Sequence, residues 1–437
     1  MPTSSTMSTI DQLLPVDVPA RFKASEPRRR ASPLQFYLLR IGEAVALVAF
    51  LSFCVMWLQW QMSGPGFYNV SGDFVSFWTA GKLALTGRVA DAYVEMPHYF
   101  TQLALHGDTS RGYVAFFYPP FFLLLCAGLA LLGYFPALCV WLIATCIGYV
   151  VALRALLPTR RDDTHPWLLF LGYPAVMVNA GFGQNGFLSA ALFGGAAVWL
   201  DRRPELAGVC LGCLAYKPQL GIIVPLALVV AQRRRCFLFA AATVLVLSAA
   251  ATLAFGTDVW PAFMTGMADA RHDWMEPPNP LYLVYWTTVF GAIRLHGGSL
   301  ALAYGAQAAV TVAATFMLLR ALWQRPPGAR SGRAEVAAIA ACVPFCSPFM
   351  LEYDLIVLAV PMAWLLGEAL RDGFRRGEFA ALVAAYLAPA LFKVWAFDNA
   401  LKLGVIFAAA LLLVVVLRRM TEQSAQFSGL DRAVLAA

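Results

Sequence analysis

Charge is what this sequence has least of. Asp, Glu, Lys and Arg make up 13% of its 437 residues, about half the share of a soluble domain. Hydrophobic residues reach 60%, and the mean hydropathy is +0.67. A soluble fold cannot hide that much apolar surface, so a cytosolic enzyme and a disordered scaffold are excluded. Histidine is scarce as well, and the five present are scattered without outlining a metal cluster. The nine cysteines lie mostly inside apolar runs and give no disulfide framework, which excludes a secreted disulfide module. Cys210-x-x-Cys213 has no second pair and falls on an expected membrane helix, so packing is its favoured role. A Walker loop, His-Glu-x-x-His, a nucleophile elbow and a dinucleotide fingerprint are all missing. A pump driven directly by ATP therefore has no nucleotide site here. There is no repeat of fixed period, and no matched pair of broken helices of the kind that marks inverted-repeat transporters.

What the chain does have is a succession of apolar runs, each long enough to cross about 30 Å of hydrocarbon. The expected class is an all-α polytopic membrane protein with about 12 transmembrane helices. The net charge of +7 is no nucleic-acid footprint. It sits in short clusters between apolar segments, such as Arg28-Arg29-Arg30, Arg233-Arg234-Arg235, Arg375-Arg376 and Arg418-Arg419. Polytopic proteins keep such clusters on the cytoplasmic side.

The expected order is a disordered cytoplasmic tail at 1–33, a membrane domain at 34–420 and a cytoplasmic tail at 421–437. Two polar stretches, 61–115 and 256–298, are expected as the first and second outer loops. In the first, Phe74, Phe77, Trp78, Ala80, Gly81 and Leu85 suggest a short amphipathic helix at the membrane interface. Continuous spans are expected at 167–182, 336–349 and 355–370, among others. The order within 158–231 is the least determined. Plain alternation puts Arg202 and Arg203 outside, against the positive-inside rule, and a hairpin or re-entrant segment at Lys217 would change that. Lys217-Pro218-Gln219 interrupts an apolar segment, where proline breaks a helix and a cation is expensive. Gly208-x-x-x-Gly212 fits close helix packing within the fold.

Four places carry candidate chemistry. Asp73 follows Gly72 just beyond the first span; it is either a helix N-cap or a carboxylate acting on a substrate at the membrane surface. Lys217 needs an anionic partner or a path to the interface; a lipid phosphate, snorkelling and a structural ion pair all satisfy it. Gln184 and Asn185 lie in a polar turn between two spans and suit either sugar hydroxyls or helix ends. Glu352-Tyr353-Asp354 follows Ser347-Pro348, and its acids point into a cavity or lie among headgroups.

Several of these pieces occur in a telling order. They are Gly72-Asp73-Phe74 with Trp78 and Ala80-Gly81, then Gly87, Asp91-Ala92-Tyr93 and Tyr118-Pro119-Pro120. Gly183-Gln184-Asn185-Gly186, Ala207-Gly208, Tyr216-Lys217-Pro218-Gln219 and Ser347-Pro348 follow. The set resembles glycosyltransferase family 87, integral-membrane enzymes best known as mannosyltransferases that use polyprenyl-phosphate-mannose. The resemblance implies the C-type glycosyltransferase fold, with a catalytic acid in the first outer loop that maps onto Asp73. It implies a lipid-linked sugar donor, a glycan or glycolipid acceptor, contact with membrane lipid and no separate cofactor. Lys217 and, more weakly, Arg271 would face the leaving phosphate. Tyr118, Gln184, Asn185, Tyr353 and Asp354 complete the substrate-binding set. One departure stands out: members near the mannosyltransferases tend to carry a histidine after the Ser-Pro motif, where this chain has Tyr353-Asp354. The competing reading is a carrier or flippase for a lipid-linked sugar or small solute.

Overall fold

The computed structural model describes residues 33–63, 72–106, 112–158, 164–277, 283–326, 331–394 and 399–435. All but the last residue of the expected N-terminal tail lies outside them. Among the described residues the regular secondary structure is all helical, apart from one isolated bridge between Trp286 and Leu351.

The chain begins with α1 (Pro33–Met62), α2 (Phe74–Leu85), α3 (Glu95–His106), α4 (Pro120–Ala130) and α5 (Tyr134–Leu156). A group of shorter pieces follows: α6 (Pro174–Phe182), α7 (Gly186–Trp199), α8 (Pro204–Cys213), α9 (Pro218–Gly221) and α10 (Val224–Val230). Then come α11 (Arg234–Phe255), α12 (Val259–Ala270), α13 (Val289–Leu295), α14 (Leu300–Trp323), α15 (Gly332–Cys342), α16 (Ala359–Asp372), α17 (Glu378–Val394) and α18 (Asn399–Leu435).

Among the described residues, six helical segments are long and apolar enough to cross a membrane: Tyr37–Met62, Tyr134–Leu156, Arg234–Phe255, Leu300–Trp323, Glu352–Asp372 and Leu403–Ala425. Several other expected spans fall on apolar helices of 10–17 residues, such as Pro120–Ala130 and Gly186–Trp199, about 15–26 Å long at 1.5 Å per residue. Local sequence explains the breaks. The expected span 167–182 divides into a 3-10 turn, Pro166–Phe170, and α6, which starts at Pro174. Between them, a Cβ on Gly172 would stand 2.6 Å from Ala46 of α1. The span expected at 336–349 ends at Cys342 and tightens into a 3-10 turn at Val343–Phe345, around Pro344. The next begins as a 3-10 helix, Glu352–Leu358, before it becomes α16.

The interruption expected at Lys217 is present. Lys217 has φ −130° and ψ 78°, outside the helical region. A residue before proline is pushed there because the pyrrolidine ring crowds its backbone. Gly208 and Gly212 pack as their spacing suggests: a Cβ on either would lie 2.5–2.6 Å from backbone oxygens of Cys236 and Ala240 on α11.

Charge then orders the bundle. Asp201 accepts hydrogen bonds from Arg233 at 2.8 Å and from the Gly332 amide at 2.7 Å. Glu335 pairs with Arg233 at 2.7 Å and with Arg325 at 3.4 Å, and Arg325 donates to Ser424 at 2.8 Å. Arg419 pairs with Glu378 at 3.3 Å, and Arg375 pairs with Glu422. Residues 201–203, 233–235, 325–326, 331–335, 371–378 and 418–424 thus gather at one end. Arg202 and Arg203 join the other basic clusters, which resolves the conflict of plain alternation. The stretch from Pro204 to Val230 leaves this charged end, turns at Lys217 and returns to it, as a re-entrant hairpin. Residues 332–372 do the same, with their turn at 347–354.

Two parts differ from expectation. The helix α2 is more than half buried rather than half exposed as an amphipathic surface helix would be: eight of its twelve residues are buried. It packs so closely on α4 that a Cβ on Gly81 would meet the Cys126 oxygen at 2.1 Å. The polar groups this buries are satisfied locally: Thr79 Oγ1 lies 2.7 Å from Nε2 of the fully buried His98. At the other end of the chain, α18 runs on through residues 421–435 as one helix. There Ser424 is buried and Gln423 donates to Glu368 at 2.5 Å.

Candidate active site

The turn between α6 and α7, the apex at Lys217, the apex at 347–354 and the start of α2 meet at one place. Gly72 makes the last of these possible. It has φ +65°, and a Cβ there would stand 2.4 Å from the Phe182 oxygen. That oxygen accepts the backbone N–H of Asp73 at 2.7 Å. Glycine alone allows both the left-handed backbone and the close approach.

Asp73 directly precedes α2, but its side chain makes no capping hydrogen bond. Its Oδ2 instead accepts from Nε2 of Gln184 at 2.5 Å. The turn that carries Gln184 is held from several sides. Gly183 adopts φ +66° as the left-handed cap of α6, its oxygen accepts from the Trp141 indole at 3.1 Å, and Asn179 Oδ1 accepts the Gly186 amide at 2.6 Å. Tyr118 donates to Gln184 Oε1 at 3.4 Å. Its ring is fixed between Phe77 and Phe122, with centroids 5.1 and 4.8 Å away.

Lys217 is 4% exposed and carries an ion pair: Nζ donates to Asp354 Oδ1 at 2.5 Å and to Asn185 Oδ1 at 2.9 Å. It also lies 4.8 Å over the ring of Tyr353. Asp354 accepts the Leu351 amide at 3.3 Å on its second oxygen.

These groups border a cavity of about 1480 Å³. Asp73, Tyr118, Gln184, Lys217, Glu352 and Tyr353 line its polar part. Asn185 and Asp354 are not on its wall; they grip Lys217 from behind. Along α11 the wall is an apolar stripe of Phe237, Ala240, Ala241, Val244 and Leu245, continued by Ser248. That spacing is one helix face, about 16 Å long. Leu211 of α8, Leu228 of α10 and Phe263, Met264 and Met267 of α12 continue the wall. Arg271 also borders the cavity, yet it is engaged by Glu276 at 2.7 Å and lies 5.6 Å over the Tyr304 ring.

Burial lifts the Asp73 carboxyl above the usual carboxylate range. The Gln184 hydrogen bond and the Lys217 charge oppose this, while Asp354 and Glu352 reinforce it. Among the described residues, no group of three or more His, Cys, Asp or Glu side chains is placed to hold a metal.

The sequence named most of these groups. It left Glu352 out of the binding set, although that residue is 2% exposed and lines the cavity. It also passed over Tyr113 and Trp274, whose rings sit 5.9 Å apart on the same wall. Neither belongs to a motif; aromatic residues in polar stretches next to spans were the available signal.

A family model, glycosyltransferase family 87, matches residues 116–348. This covers Tyr118, Gln184, Asn185, Lys217 and Ser347-Pro348, and stops short of Asp73 and Tyr353-Asp354. No curated protein and no solved structure matches the chain.

Proposed function

Because the chain belongs to glycosyltransferase family 87, we propose that it transfers a hexose, mannose in our reading, from a polyprenyl-phosphate sugar to a glycan or glycolipid acceptor. The observation that carries this is the cavity: a polar cluster around one carboxylate, continuous with an apolar stripe on α11. A prenyl chain suits the stripe, and the sugar phosphate suits the polar part.

Asp73 acts as general base. It takes the proton of an acceptor hydroxyl as that oxygen bonds to the anomeric carbon. The bond from that carbon to the phosphate oxygen breaks on the opposite face, and polyprenyl phosphate leaves with the electron pair. The transition state is oxocarbenium-like, as in glycoside hydrolysis, and one displacement inverts the anomeric centre. Lys217 faces the leaving phosphate. Two of its three N–H groups are already engaged, and Asp354 balances its charge, so it offers a directed donor more than a net positive charge. We place the site on the extracytoplasmic face, because the arginine clusters gather at the opposite end. About 12 crossings and the C-type glycosyltransferase fold complete this reading.

A carrier is the second reading, and the interrupted segments at Lys217 and 343–358 favour it to the extent that transporters use such breaks. Family membership weighs the other way. The test is Asp73→Asn, which keeps shape and removes the basic carboxylate. Turnover of polyprenyl-phosphate-mannose by purified protein should fall about 10²- to 10⁴-fold. Activity within a few-fold of the parent sinks the assignment.

A further inference from the structure

The amide of Gln184 can adopt one orientation. Its Oε1 accepts the backbone N–H of Asn185 at 3.1 Å and the Tyr118 hydroxyl at 3.4 Å. A backbone amide can only donate, so the side-chain oxygen must lie on that side. The side-chain nitrogen therefore faces Asp73 and donates to Oδ2 at 2.5 Å. Gln184 is 2% exposed, which makes this arrangement costly to disturb. Asp73 lines the cavity, and no described residue donates to its other oxygen, Oδ1.

We infer that Gln184 is a positioning residue: it holds the Asp73 carboxylate by one oxygen and leaves the other for the acceptor hydroxyl. The inference rests on Asp73 being the general base. It differs from the expectation that Gln184 binds a sugar hydroxyl. The hydrogen bond has a second effect, since a donor to a carboxylate favours the ionised form. The charged or titratable groups around Asp73 are Lys217, Asp354, Glu352, Tyr118 and Tyr353. Burial, Asp354 and Glu352 disfavour ionisation, while Gln184 and Lys217 support it.

Gln184→Met keeps the length and removes the donor, together with the oxygen that accepts from Asn185 and Tyr118. With polyprenyl-phosphate-mannose as donor and a membrane glycolipid extract as acceptor, kcat should fall about 10- to 100-fold, the weight of a hydrogen bond to a charged group. Donor KM should stay within about 2-fold of the parent, because ground-state binding is untouched. The acid limb of the pH profile should move to higher pH, because Asp73 loses a group that favoured its charge. Gln184→Glu guards against misfolding, since it keeps the acceptor for Asn185 and Tyr118. Two carboxyl groups at this distance cannot both ionise freely, so its profile should show two ionisations in place of one. An infrared titration of the purified protein needs no substrate. The carboxyl band that vanishes in Asp73→Asn should titrate at higher pH in Gln184→Met.

A raised donor KM with an unmoved acid limb overturns the inference and returns Gln184 to sugar binding. An Asp73 band that titrates at the parental pH in Gln184→Met overturns it too. Full activity in Asp73→Asn overturns the base itself; an inactive Asp73→Asn beside unshifted Gln184 variants overturns the positioning role alone.

Discussion

Replacing Lys217 by Met removes the ammonium but leaves Asp354 where it is, 1% exposed and facing a lost partner. The sequence alone suggests that this variant folds normally and merely binds donor phosphate poorly. The ion pair changes that expectation. Breaking a buried pair on one side strands a charge and costs about 3–5 kcal/mol. Asp354→Asn strands the ammonium instead, leaving it amide oxygens but no opposing charge, and a similar cost follows. Replacing both partners strands neither charge, so Lys217→Met with Asp354→Asn should be far more stable than the sum of the two losses. A coupling of about 2–3 kcal/mol is expected, near the top of the range for contacting residues. Denaturant titration of the four proteins in one detergent, followed by tryptophan fluorescence, gives the cycle. Turnover then separates the roles. If Lys217 serves the leaving phosphate, the double variant regains stability and stays inactive. Additive stability losses would refute the pair as a charge-compensated unit. A stable and active double variant would refute any role of Lys217 at the phosphate.

Two further outcomes are open to direct measurement. Gly72→Ala places a methyl group within 2.4 Å of the Phe182 oxygen at φ +65°; turnover should fall by at least about tenfold at matched folded protein, and parental turnover would show that this approach does not set Asp73. Single cysteines at Glu95 and Glu276, in a background without the native cysteines, should react with an impermeant thiol reagent on intact cells; labelling after lysis alone would reverse the assigned orientation.

The residues that proved legible in the sequence are those whose cost in an apolar setting is high. Lys217 beside Pro218 announces a break and a partner, though not which partner. Asp354 lies 137 positions away, and only the folding of two hairpins brings them together. The same limit applies to Gln184, whose link to Asp73 spans 111 positions. Composition gave the membrane setting, but hydropathy does not register that Pro174 or Pro344 cuts an apolar run. The burial of α2 was illegible for a related reason. Its polar residues, Ser76 and Thr79, find partners far along the chain, the Ala115 oxygen at 2.9 Å and His98.

The turn at 183–186 grips the carboxylate of Asp73 with one residue and the ammonium of Lys217 with the next. Consecutive Cα atoms are fixed about 3.8 Å apart by covalent geometry. The two grips are therefore anchored on adjacent residues of one turn. A single displacement at a sugar carbon asks for the incoming and outgoing oxygens to hold a constant separation across the ring. If Asp73 and Lys217 serve those two oxygens, as proposed, one turn holds both and would keep them in register while the cavity takes up a lipid-linked donor.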